Sequence, residues 1–293
     1  MTSQIKSISF RKGLSNEIEI ISIADTVAKH RNNIVLPHRD NYYNIFWYQK
    51  GSATHLIDFK PIQIRENSLL FVNKNRVQTL DSTADYDGKF LLFTEAFFDK
   101  YPEDIKYLRN NILFNDLLEE PVLNIEGNSS IISVFQDIEI ELSKSNDEVQ
   151  YHILHNLLHN LLLLSERERR KNGFNQIEKG IDLDKTIEFR NTLENKFRSI
   201  KTVSGYASVM SISERKLNKA LTAVLGKTAK ELIDERIILE AKRMLAHTNY
   251  SIKEIGFELG FDEPTNFIKY FRKQEGKTPV EFRIFFQKDK KLK

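Results

Sequence analysis

Short apolar runs alternate with polar breaks over roughly the first 95 residues of the chain. The runs are rich in β-branched and aromatic residues, and they occupy positions 42–48, 53–59, 61–65, 68–72 and 90–93. Short strands at this spacing are typical of a β-barrel or a β-sandwich. Gly51-Ser52 separates the first two runs, so the sequence predicts a turn there and a hairpin between the runs.

Beyond residue 130 the apolar residues repeat with the 3.6-residue period of a helix. One amphipathic segment covers 131–142, and a stronger one covers 147–171. The second segment carries a leucine stripe at 3-4-3 spacing, formed by Leu154, Leu157, Leu161 and Leu164. Such a stripe favours packing against another apolar surface. That surface is either the protein's own barrel or the same helix of a second subunit, and the second alternative predicts a homodimer with these leucines at its seam.

A polar stretch after Asn172-Gly173 predicts a linker. The sequence therefore divides into a strand-rich domain at 1–125, a helical dimerisation segment at 126–172, a linker at 173–184 and an all-helical domain at 185–293. Several helices of the last domain begin with a capping box, in which a hydroxyl residue is followed three positions later by Glu. The three boxes pair Thr228 with Glu231, Ser251 with Glu254, and Thr278 with Glu281.

Composition narrows the class of protein. No uncharged apolar run approaches the roughly 20 residues of a membrane span, and the N-terminus lacks the apolar core of a secretory signal. The chain has no cysteine, which excludes disulfides and cysteine nucleophiles and fits a cytoplasmic protein. The net charge of +3 is unevenly spread, because residues 201–293 hold 19 Lys and Arg against 12 Asp and Glu. A basic module beside a mildly acidic one points to nucleic acid as a partner.

The basic third of the chain repeats itself. Leu217, Leu221 and Gly226 recur at an offset of 50 residues as Phe267, Phe271 and Gly276. Each copy predicts a short helix, a tight break and a second helix ended by Gly, which is a helix-turn-helix. The first break is Ser211-Ile212 with Ser213 as the next cap, and the second is Gly260-Phe261 with Asp262 as the next cap.

Residues 229–247 predict one continuous helix between the two copies. Nineteen residues at 1.5 Å each span about 28 Å, and adjacent major-groove faces of B-DNA repeat at about 34 Å. One rigid spacer can therefore hold two recognition helices at successive major grooves of slightly bent DNA. The alternative is a plain helical repeat with a solvated charged face.

The second copy carries a family resemblance. Its residues run Ser251-Ile252-x-x-Ile255-Gly256-x-x-x-Gly260-Phe261, and then Asn266-Phe267-x-x-x-Phe271-Arg272-Lys273-x-x-Gly276-x-Thr278-Pro279-x-x-Phe282-Arg283. Together with 207–226 and the spacer, these runs resemble the AraC/XylS family of transcriptional regulators over about 100 residues. The chain departs from the family pattern at two positions, with Gly256 where Ala is preferred and Ser211 where Gly is frequent.

The resemblance implies which side chains contact DNA. Base contacts are expected at Arg215, Asn218, Lys219, Pro264, Thr265 and Lys269. Contacts to the DNA backbone are expected at Ser213, Asn266, Arg272 and Lys273. Chemistry supports most of this set independently, because Arg, Lys and Asn can hydrogen-bond base edges, and Lys and Arg neutralise phosphates.

The strand-rich domain resembles the cupin-like sensor barrel of the same family, mostly in its strand pattern. A barrel of this kind can hold a small ligand, and the candidates to line its pocket are His38, Trp47, His55 and Gln78. Gln78 stands roughly where a metal-binding cupin has a later His, so we expect no metal there. Three histidines on one helical face can bind zinc or simply flank the leucine stripe, namely His152, His155 and His159.

The leading hypothesis is a sequence-specific transcriptional regulator and not an enzyme. It combines an N-terminal cupin-like β-barrel with flanking helices and a C-terminal all-α double helix-turn-helix. The expected partners are double-stranded DNA, a second copy of the chain, a small-molecule effector and RNA polymerase, without a membrane or a cofactor, and the resemblance favours activation over repression. The alternative is a cupin-type metal enzyme with an appended basic module. A DNA-repair alkyltransferase with a similar helical module is excluded, because it needs a cysteine.

Overall fold

The computed structural model describes residues 5–81, 85–114, 122–171 and 180–292, which fall into two units, Lys6–Gln176 and Ile177–Lys293. The strands of the first unit are β1 (Lys6–Ile8), β2 (Ile18–Ser22), β3 (His38–Asp40), β4 (Tyr43–Ile57), β5 (Lys60–Arg65), β6 (Ser68–Val72), β7 (Val77–Thr79), β8 (Tyr86–Phe93) and β9 (Val122–Asn124). Its helices are α1 (Ile23–Ile34), α2 (Glu95–Phe98), α3 (Pro102–Asn110), α4 (Ser129–Ser143) and α5 (Gln150–Lys171). The helices of the second unit are α6 (Ile181–Lys196), α7 (Val203–Val209), α8 (Glu214–Leu225), α9 (Ala229–His247), α10 (Ile252–Glu258), α11 (Pro264–Glu275) and α12 (Pro279–Leu292).

Strand β4 belongs to two sheets. Its first half pairs antiparallel with β6 and β8, in a sheet ordered β2-β8-β4-β6-β9. Its second half pairs antiparallel with β5 and β7, in a sheet ordered β1-β3-β7-β4-β5. Two sheets that share one strand curl around a common interior, so the unit is a curled half-barrel with α4 and α5 packed on its outer face.

The predicted hairpin at Gly51-Ser52 is wrong. Residues 43–57 form a single strand with an irregularity between Tyr48 and Lys50, and the chain turns back only at Asp58-Phe59. Gly51 has a φ of 72°, and a Cβ atom there would lie 2.0 Å from the carbonyl oxygen of Asp85. Glycine therefore permits a continuous strand to bend from one sheet into the other. The bend is a β-bulge and not a hairpin turn.

Successive side chains of β4 enter two different cores. Tyr43, Ile45 and Trp47 pack towards α4 and α5 on the outside of the sheet. Phe46 and Tyr48 point into the interior of the half-barrel. The period-2 alternation of a strand produces this division. Both faces of the strand are buried, which explains why its sequence is a continuous apolar run.

The helical unit follows its predicted pattern closely. Helix α9 has the predicted span, and the three predicted capping boxes at Thr228, Ser251 and Thr278 are all present. One predicted cap is wrong, because Glu263 and not Asp262 precedes α11, without a capping side-chain bond. Pro264 occupies the first helical position, where it has no amide to satisfy and its fixed φ already suits a helix.

Helix α6 begins inside the predicted linker of 173–184. Residues 173–179 lie outside the described residues, but 181–184 form the first turn of α6. Asp182 and Asp184 are in that turn, where a carboxylate interacts favourably with the positive end of the helix dipole. Polar residues of this kind predict a linker, but here the two carboxylates stabilise the start of a helix.

The breaks of the two helix-turn-helix motifs share a left-handed backbone conformation. Ser211 has a φ of 53°, and Gly260 has a φ of 75°. At Gly260 a Cβ atom would lie 1.9 Å from the carbonyl oxygen of Arg198, so only glycine fits. Ser211 is exposed and makes the same turn with a side chain, at a conformational cost of roughly 1–2 kcal/mol.

Replacing Ser211 with Gly is expected to stabilise the helical unit by roughly 0.5–1 kcal/mol, because relief of the left-handed strain exceeds the added freedom of the unfolded chain. Urea unfolding followed by circular dichroism measures the effect. Trp47, the sole tryptophan, lies in the other unit, so its fluorescence midpoint should not change. Ser208→Gly, at an exposed position of α7, is the control and should instead destabilise by roughly 0.5–1 kcal/mol. An unfolding midpoint of the Ser211→Gly protein at or below that of the wild type contradicts the prediction.

Candidate ligand pocket and DNA-binding surface

Helices α8 and α11 are the second helices of the two motifs, and each has one buried and one polar face. Leu217, Ala220 and Leu221 are buried in α8, and Phe267 and Phe271 are buried in α11. Eight of the predicted DNA contacts are exposed, namely Ser213, Arg215, Lys219, Thr265, Asn266, Lys269, Arg272 and Lys273. The other two, Asn218 and Pro264, are half-buried.

Asn218 ties the first recognition helix to the spacer helix. Its Oδ1 atom accepts a hydrogen bond from the backbone amide of Ala229 at 2.9 Å. That amide belongs to the first residue of α9, whose leading N–H groups have no partner within the helix. The side-chain oxygen is therefore engaged in the fold, and only the amide N–H groups of Asn218 remain to face a base.

Asp234 ties the second recognition helix to the same spacer. Its Oδ1 atom accepts from the Tyr270 hydroxyl at 2.5 Å, and its Oδ2 atom accepts from Nε2 of Gln274 at 2.8 Å. Lys230 forms an ion pair with the same carboxylate, with its Nζ atom 2.5 Å from Oδ1 of Asp234. Burial, followed by the hydrogen bond to Asp234, raises the pKa of Tyr270, so this hydroxyl stays a donor. The role of Asp234 cannot be predicted from the sequence, because nothing in the local pattern connects this residue to partners 36 and 40 positions away.

A buried carboxylate, Glu240, sits further along the spacer. It accepts from Nη1 of Arg243 at 2.8 Å and from Nη1 of Arg236 at 3.3 Å. Arg236 also donates to Glu194 of α6 at 2.8 Å, so the cluster joins α6 to α9. Glu240 and Arg243 are each only 2% exposed.

The interior of the half-barrel contains a cavity of about 370 Å³, which falls in the range of small-molecule sites. Most of the wall is apolar and aromatic, with Phe10, Ile21, Phe46, Leu80, Phe90 and Leu92 among its residues. The buried polar residues of the wall are Thr26, His38, Asp40, Asn44 and Gln78. Charged residues also line it at more accessible positions, namely Arg11, Glu19, Asp25 and Lys29.

A chain of buried hydrogen bonds leads towards Asp40. The Tyr48 hydroxyl lies 3.0 Å from Nδ1 of His55, and Nε2 of His55 lies 2.9 Å from Oε1 of Gln78. Gln78 then donates through Nε2 to Oδ2 of Asp40 at 2.5 Å, and Asn44 donates to the same oxygen at 3.0 Å. Because an amide oxygen can only accept, Nε2 of His55 carries the proton and its Nδ1 accepts from Tyr48.

Burial sets the protonation of this chain. It lowers the pKa of His55 to about 3, so the imidazole is neutral at physiological pH. Burial also raises the pKa of Asp40, while His38, Asn44, Gln78 and Tyr42 oppose that rise. His55 uses both ring nitrogens within the protein. Over the described ranges, no group of three or more His, Cys, Asp and Glu side chains is placed to hold a metal ion.

Three of the four predicted pocket residues come together, and the fourth does not. His38 and Gln78 line the cavity, and His55 is hydrogen-bonded to Gln78 without lining the cavity itself. Trp47 is wrong as a pocket residue, because it lies on the outer face of β4 against the ring of Phe135, with centroids 5.0 Å apart. Asp40 and Asn44 were missed, although each is an even number of residues from a cavity-facing neighbour on its strand.

The leucine stripe of α5 is part of the protein's own core. Leu154 and Leu161 are fully buried, and Leu157 and Leu164 pack against the same core between the sheet and α4. A dimer seam formed by these four leucines is therefore wrong, because the half-barrel already covers them. The other alternative from the sequence, packing onto the barrel, describes the structure.

The three histidines of α5 make separate contacts. His152 is exposed, with Nδ1 2.8 Å from Nζ of Lys100. His155 is buried, and its Nε2 lies 3.1 Å from the carbonyl oxygen of Phe98 and 3.2 Å from Oδ2 of Asp104. His159 packs on aromatic rings, and burial lowers its pKa. These residues flank the stripe as structural groups.

A basic double helix-turn-helix, joined in one chain to a half-barrel with a ligand-sized cavity, defines a DNA-binding regulator with a sensor domain. Comparison with known proteins gives the family. Residues 26–173, just over half of the chain, match the family model of the AraC-like ligand binding domain, and residues 206–284 match that of a helix-turn-helix domain. The chain belongs to the AraC family of transcription regulators, which confirms the resemblance and the predicted fold class.

The chain is also similar to several individual proteins. The HTH-type transcriptional activator RhaR of Enterobacter sp. (strain 638) is 21% identical over 272 residues, which cover 92% of this chain and 93% of that protein. RhaS of the same organism, also an HTH-type transcriptional activator, is 20% identical and covers 84% and 86%. Fatty-acid-bound ToxT from Vibrio cholerae has a TM-score of 0.43 at 20% identity, covering 93% of this chain and 96% of its own. No described helix has the length and apolar content needed to span a bilayer.

Proposed function

We propose that α8 and α11 enter successive major grooves of one DNA segment, and that a small molecule in the half-barrel controls this binding. The observation that carries the proposal is the shared spacer. Hydrogen bonds tie α8 to α9 through Asn218 and tie α11 to α9 through Asp234. Two recognition helices held on one rigid helix of about 28 Å suit grooves that repeat at about 34 Å on slightly bent DNA.

The proposed base-reading side chains are those that the fold leaves exposed on the two helices. They are Arg215, Lys219, Thr265 and Lys269, with the half-buried Asn218 and Pro264 beside them. Ser213, Asn266, Arg272 and Lys273 would hold the DNA backbone. Membership of a regulator family favours this function over the metal-enzyme alternative. The relatives RhaR and RhaS are named as activators, which supports activation through RNA polymerase as the outcome of DNA binding in the cytoplasm.

Lys269→Ala and Lys273→Ala are expected to weaken DNA binding in different ways. Lys269→Ala should reduce the discrimination between bases at one position by roughly 1–3 kcal/mol. Lys273→Ala should weaken binding to all sequences equally and reduce the slope of log affinity against log salt concentration by about one. Fluorescence anisotropy on fragments selected from a random-sequence library, with single-base variants at several salt concentrations, measures both. Lys196→Ala, an exposed lysine of α6 outside both motifs, is the control. If both recognition-helix variants bind every probe as the wild type does, α11 does not read DNA.

A homodimer remains part of the proposal, but through a different face of α5. The exposed positions of this helix and the residue before it form a second stripe with 4-3-4-3-4 spacing. This outer face of α5 consists of Val149, Ile153, Asn156, Asn160, Leu163 and Arg167. Val149 is 54% exposed and Leu163 is 47% exposed. The spacing is that of coiled-coil a and d positions, and no described residue covers it.

The outer face of α5 is nearly symmetric about its centre, which favours an antiparallel pair. An antiparallel pairing opposes Ile153 to Leu163 and Asn156 to Asn160. The two layers of Ile153 and Leu163 are then apolar on both sides, Val149 lies opposite Arg167, and the two amides can bond to each other, as polar core residues do when they fix a register. A parallel pairing would instead stack Arg167 on its own copy.

Charge supports the same orientation. Glu148 is exposed two residues before α5, and Arg167 is exposed near the end of this helix. In the antiparallel pair these opposite charges lie together at both ends of the interface. A second copy of this chain is therefore the occupant that fits the outer face of α5. Dimerisation would place four recognition helices on DNA, and a bound ligand acts on this assembly only if it binds two arrangements with different affinity.

A further inference from the structure

The polar end of the half-barrel cavity offers hydrogen-bond acceptors. Asp40 is 4% exposed and lines the cavity. Its Oδ2 atom accepts from both Asn44 and Gln78, and the Tyr42 hydroxyl also acts on this carboxylate, whereas no donor in the described parts of the chain lies in hydrogen-bond geometry to its Oδ1 atom. A buried carboxylate oxygen without a donor is costly, and a bound ligand can supply what the protein does not.

The surrounding groups leave few donors for a ligand. The chain from Tyr48 through His55 and Gln78 runs in one direction and ends on Asp40, so one of the two amide N–H groups of Gln78 is already used. Nδ1 of His38 lies 2.8 Å from the carbonyl oxygen of Leu36 and therefore carries a proton. In the neutral imidazole Nε2 is then an acceptor, so His38 and Asp40 together present lone pairs.

The buried end of the cavity also holds an acidic group, Asp40, that is not paired with a described Lys or Arg side chain. Arg11 is paired with Glu19 at 3.4 Å, so these two charges offset each other. Asp25 and Lys29 are exposed and screened by solvent. Asp40 is the remaining acidic group, and burial is the largest influence on its pKa, which it raises. A cation beside Oδ1 would remove that desolvation cost.

We infer that the cavity binds a small primary ammonium ion with a compact apolar body, its N–H groups donating to Asp40 Oδ1 and to Nε2 of His38. The apolar body would lie against the aromatic walls of Phe10, Phe46 and Phe90, which also attract a cation through their ring faces. This assignment deepens the proposed function, because it takes the cavity to be the effector site and gives the chemical class of its ligand.

Matched probes test the assignment on the full-length protein. Three bodies, n-butyl, cyclohexylmethyl and 2-phenylethyl, each carry an ammonium, a hydroxyl or a carboxylate group. Binding is measured by calorimetry and by the shift of the Trp47 fluorescence midpoint. We expect at least one ammonium to bind at least about tenfold more tightly than its hydroxyl partner, as a charge-assisted hydrogen bond implies, and the carboxylates not to bind.

Asp40→Asn is the critical variant, because it keeps an acceptor for Asn44 and Gln78 while placing a neutral N–H group in the cavity. We expect it to weaken ammonium binding at least about tenfold and to leave the affinity for the hydroxyl probe within about threefold. Asp25→Asn makes the same chemical change at an exposed lining position and should have little effect. Ile21→Trp fills the cavity and should abolish binding of every probe.

The outcomes separate the ligand class from the function. If a hydroxyl or carboxylate probe binds best and Ile21→Trp abolishes its binding, the effector cavity stands and the ammonium assignment is overturned. If ammonium binding survives Asp40→Asn or Ile21→Trp, the ammonium does not bind at Asp40 and the assignment is likewise overturned. If no probe of any charge binds, the ammonium assignment fails, while DNA binding by the Lys269 and Lys273 variants still decides the regulator function independently.

Discussion

Replacing Ile153 and Leu163 together with Glu is expected to convert the proposed dimer into a monomer and to weaken binding to two-half-site DNA by a factor of about 100 or more. The changes place four carboxylates in the two apolar layers of the antiparallel α5 pair. Each half-site complex loses the effective concentration that the second subunit supplies. Sedimentation velocity measures the assembly, and fluorescence anisotropy measures DNA affinity.

The outer face of α5 can be tested without damage to the core. Both positions are exposed in one chain, so Trp47 fluorescence unfolding should be nearly unchanged in the variant. Ile140→Glu adds the same charge at a 57%-exposed residue of α4 and should leave the dimer intact. Leu161→Glu would not be informative, because Leu161 is fully buried within the half-barrel unit. A dimer that survives the double substitution places the interface elsewhere.

A charge exchange tests the antiparallel orientation. Arg167→Glu alone should weaken the dimer, because the new carboxylate faces Glu148 of the partner subunit at both ends. Adding Glu148→Arg should restore the dimer. In a parallel pair, residue 167 faces its own copy, and the second change would not compensate. A full dimer in the single variant, or no recovery in the double one, contradicts the antiparallel arrangement.

The helical unit was predictable because its signals are local. A capping box spans four residues, a left-handed break requires one small residue, and the spacer helix starts on a capping box. Thr228, Ser251 and Thr278 begin α9, α10 and α12 as predicted, and Gly226 and Gly276 end α8 and α11 with positive φ. No distant contact is needed to specify any of these features.

The half-barrel was less predictable because strand pairing joins distant residues. The function of Gly51 depends on Asp85, which lies far along the chain, so a bend and a hairpin turn have the same local sequence. Trp47 shows a second limit. Its neighbours are apolar on both sides, so the sequence does not say which face of the strand meets the cavity. Once Asn44 is known to face the cavity, Trp47 must face the other side of the strand, because it lies three residues further along.

The leucines of α5 show why an apolar stripe does not identify its own partner. Leu154 and Leu161 have the spacing of a coiled coil and yet fill the barrel's outer core. The second stripe, with Asn156 and Asn160 at its centre, is too polar to be recognised from hydropathy alone. Burial calculated from the fold is what separates the inner stripe from the outer one.

Replacing Glu240 with Leu is expected to destabilise the helical unit by about 3–5 kcal/mol. Glu240 is the carboxylate between the buried side chains of Arg243 and Arg236, at 2.8 and 3.3 Å. Its removal leaves the guanidinium of Arg243, which is 2% exposed, without that counter-charge in a site that excludes water. Because α9 carries both recognition helices, DNA affinity should fall wherever the unit unfolds.

Urea unfolding of the full chain shows which of the two units loses free energy of unfolding. The unfolding midpoint followed by circular dichroism of the helices should shift to a lower urea concentration. The midpoint followed by Trp47 fluorescence, which reports on the half-barrel, should stay unchanged. Glu235→Ala removes an exposed ion pair with Lys227 and should cost less than about 1 kcal/mol. Glu240→Leu combined with Arg243→Met should recover part of the stability, since replacing a buried pair with apolar groups avoids the unpaired charge. A loss below about 1 kcal/mol in the single variant would show that solvent reaches Arg243 and that the cluster does not hold α6 on the spacer.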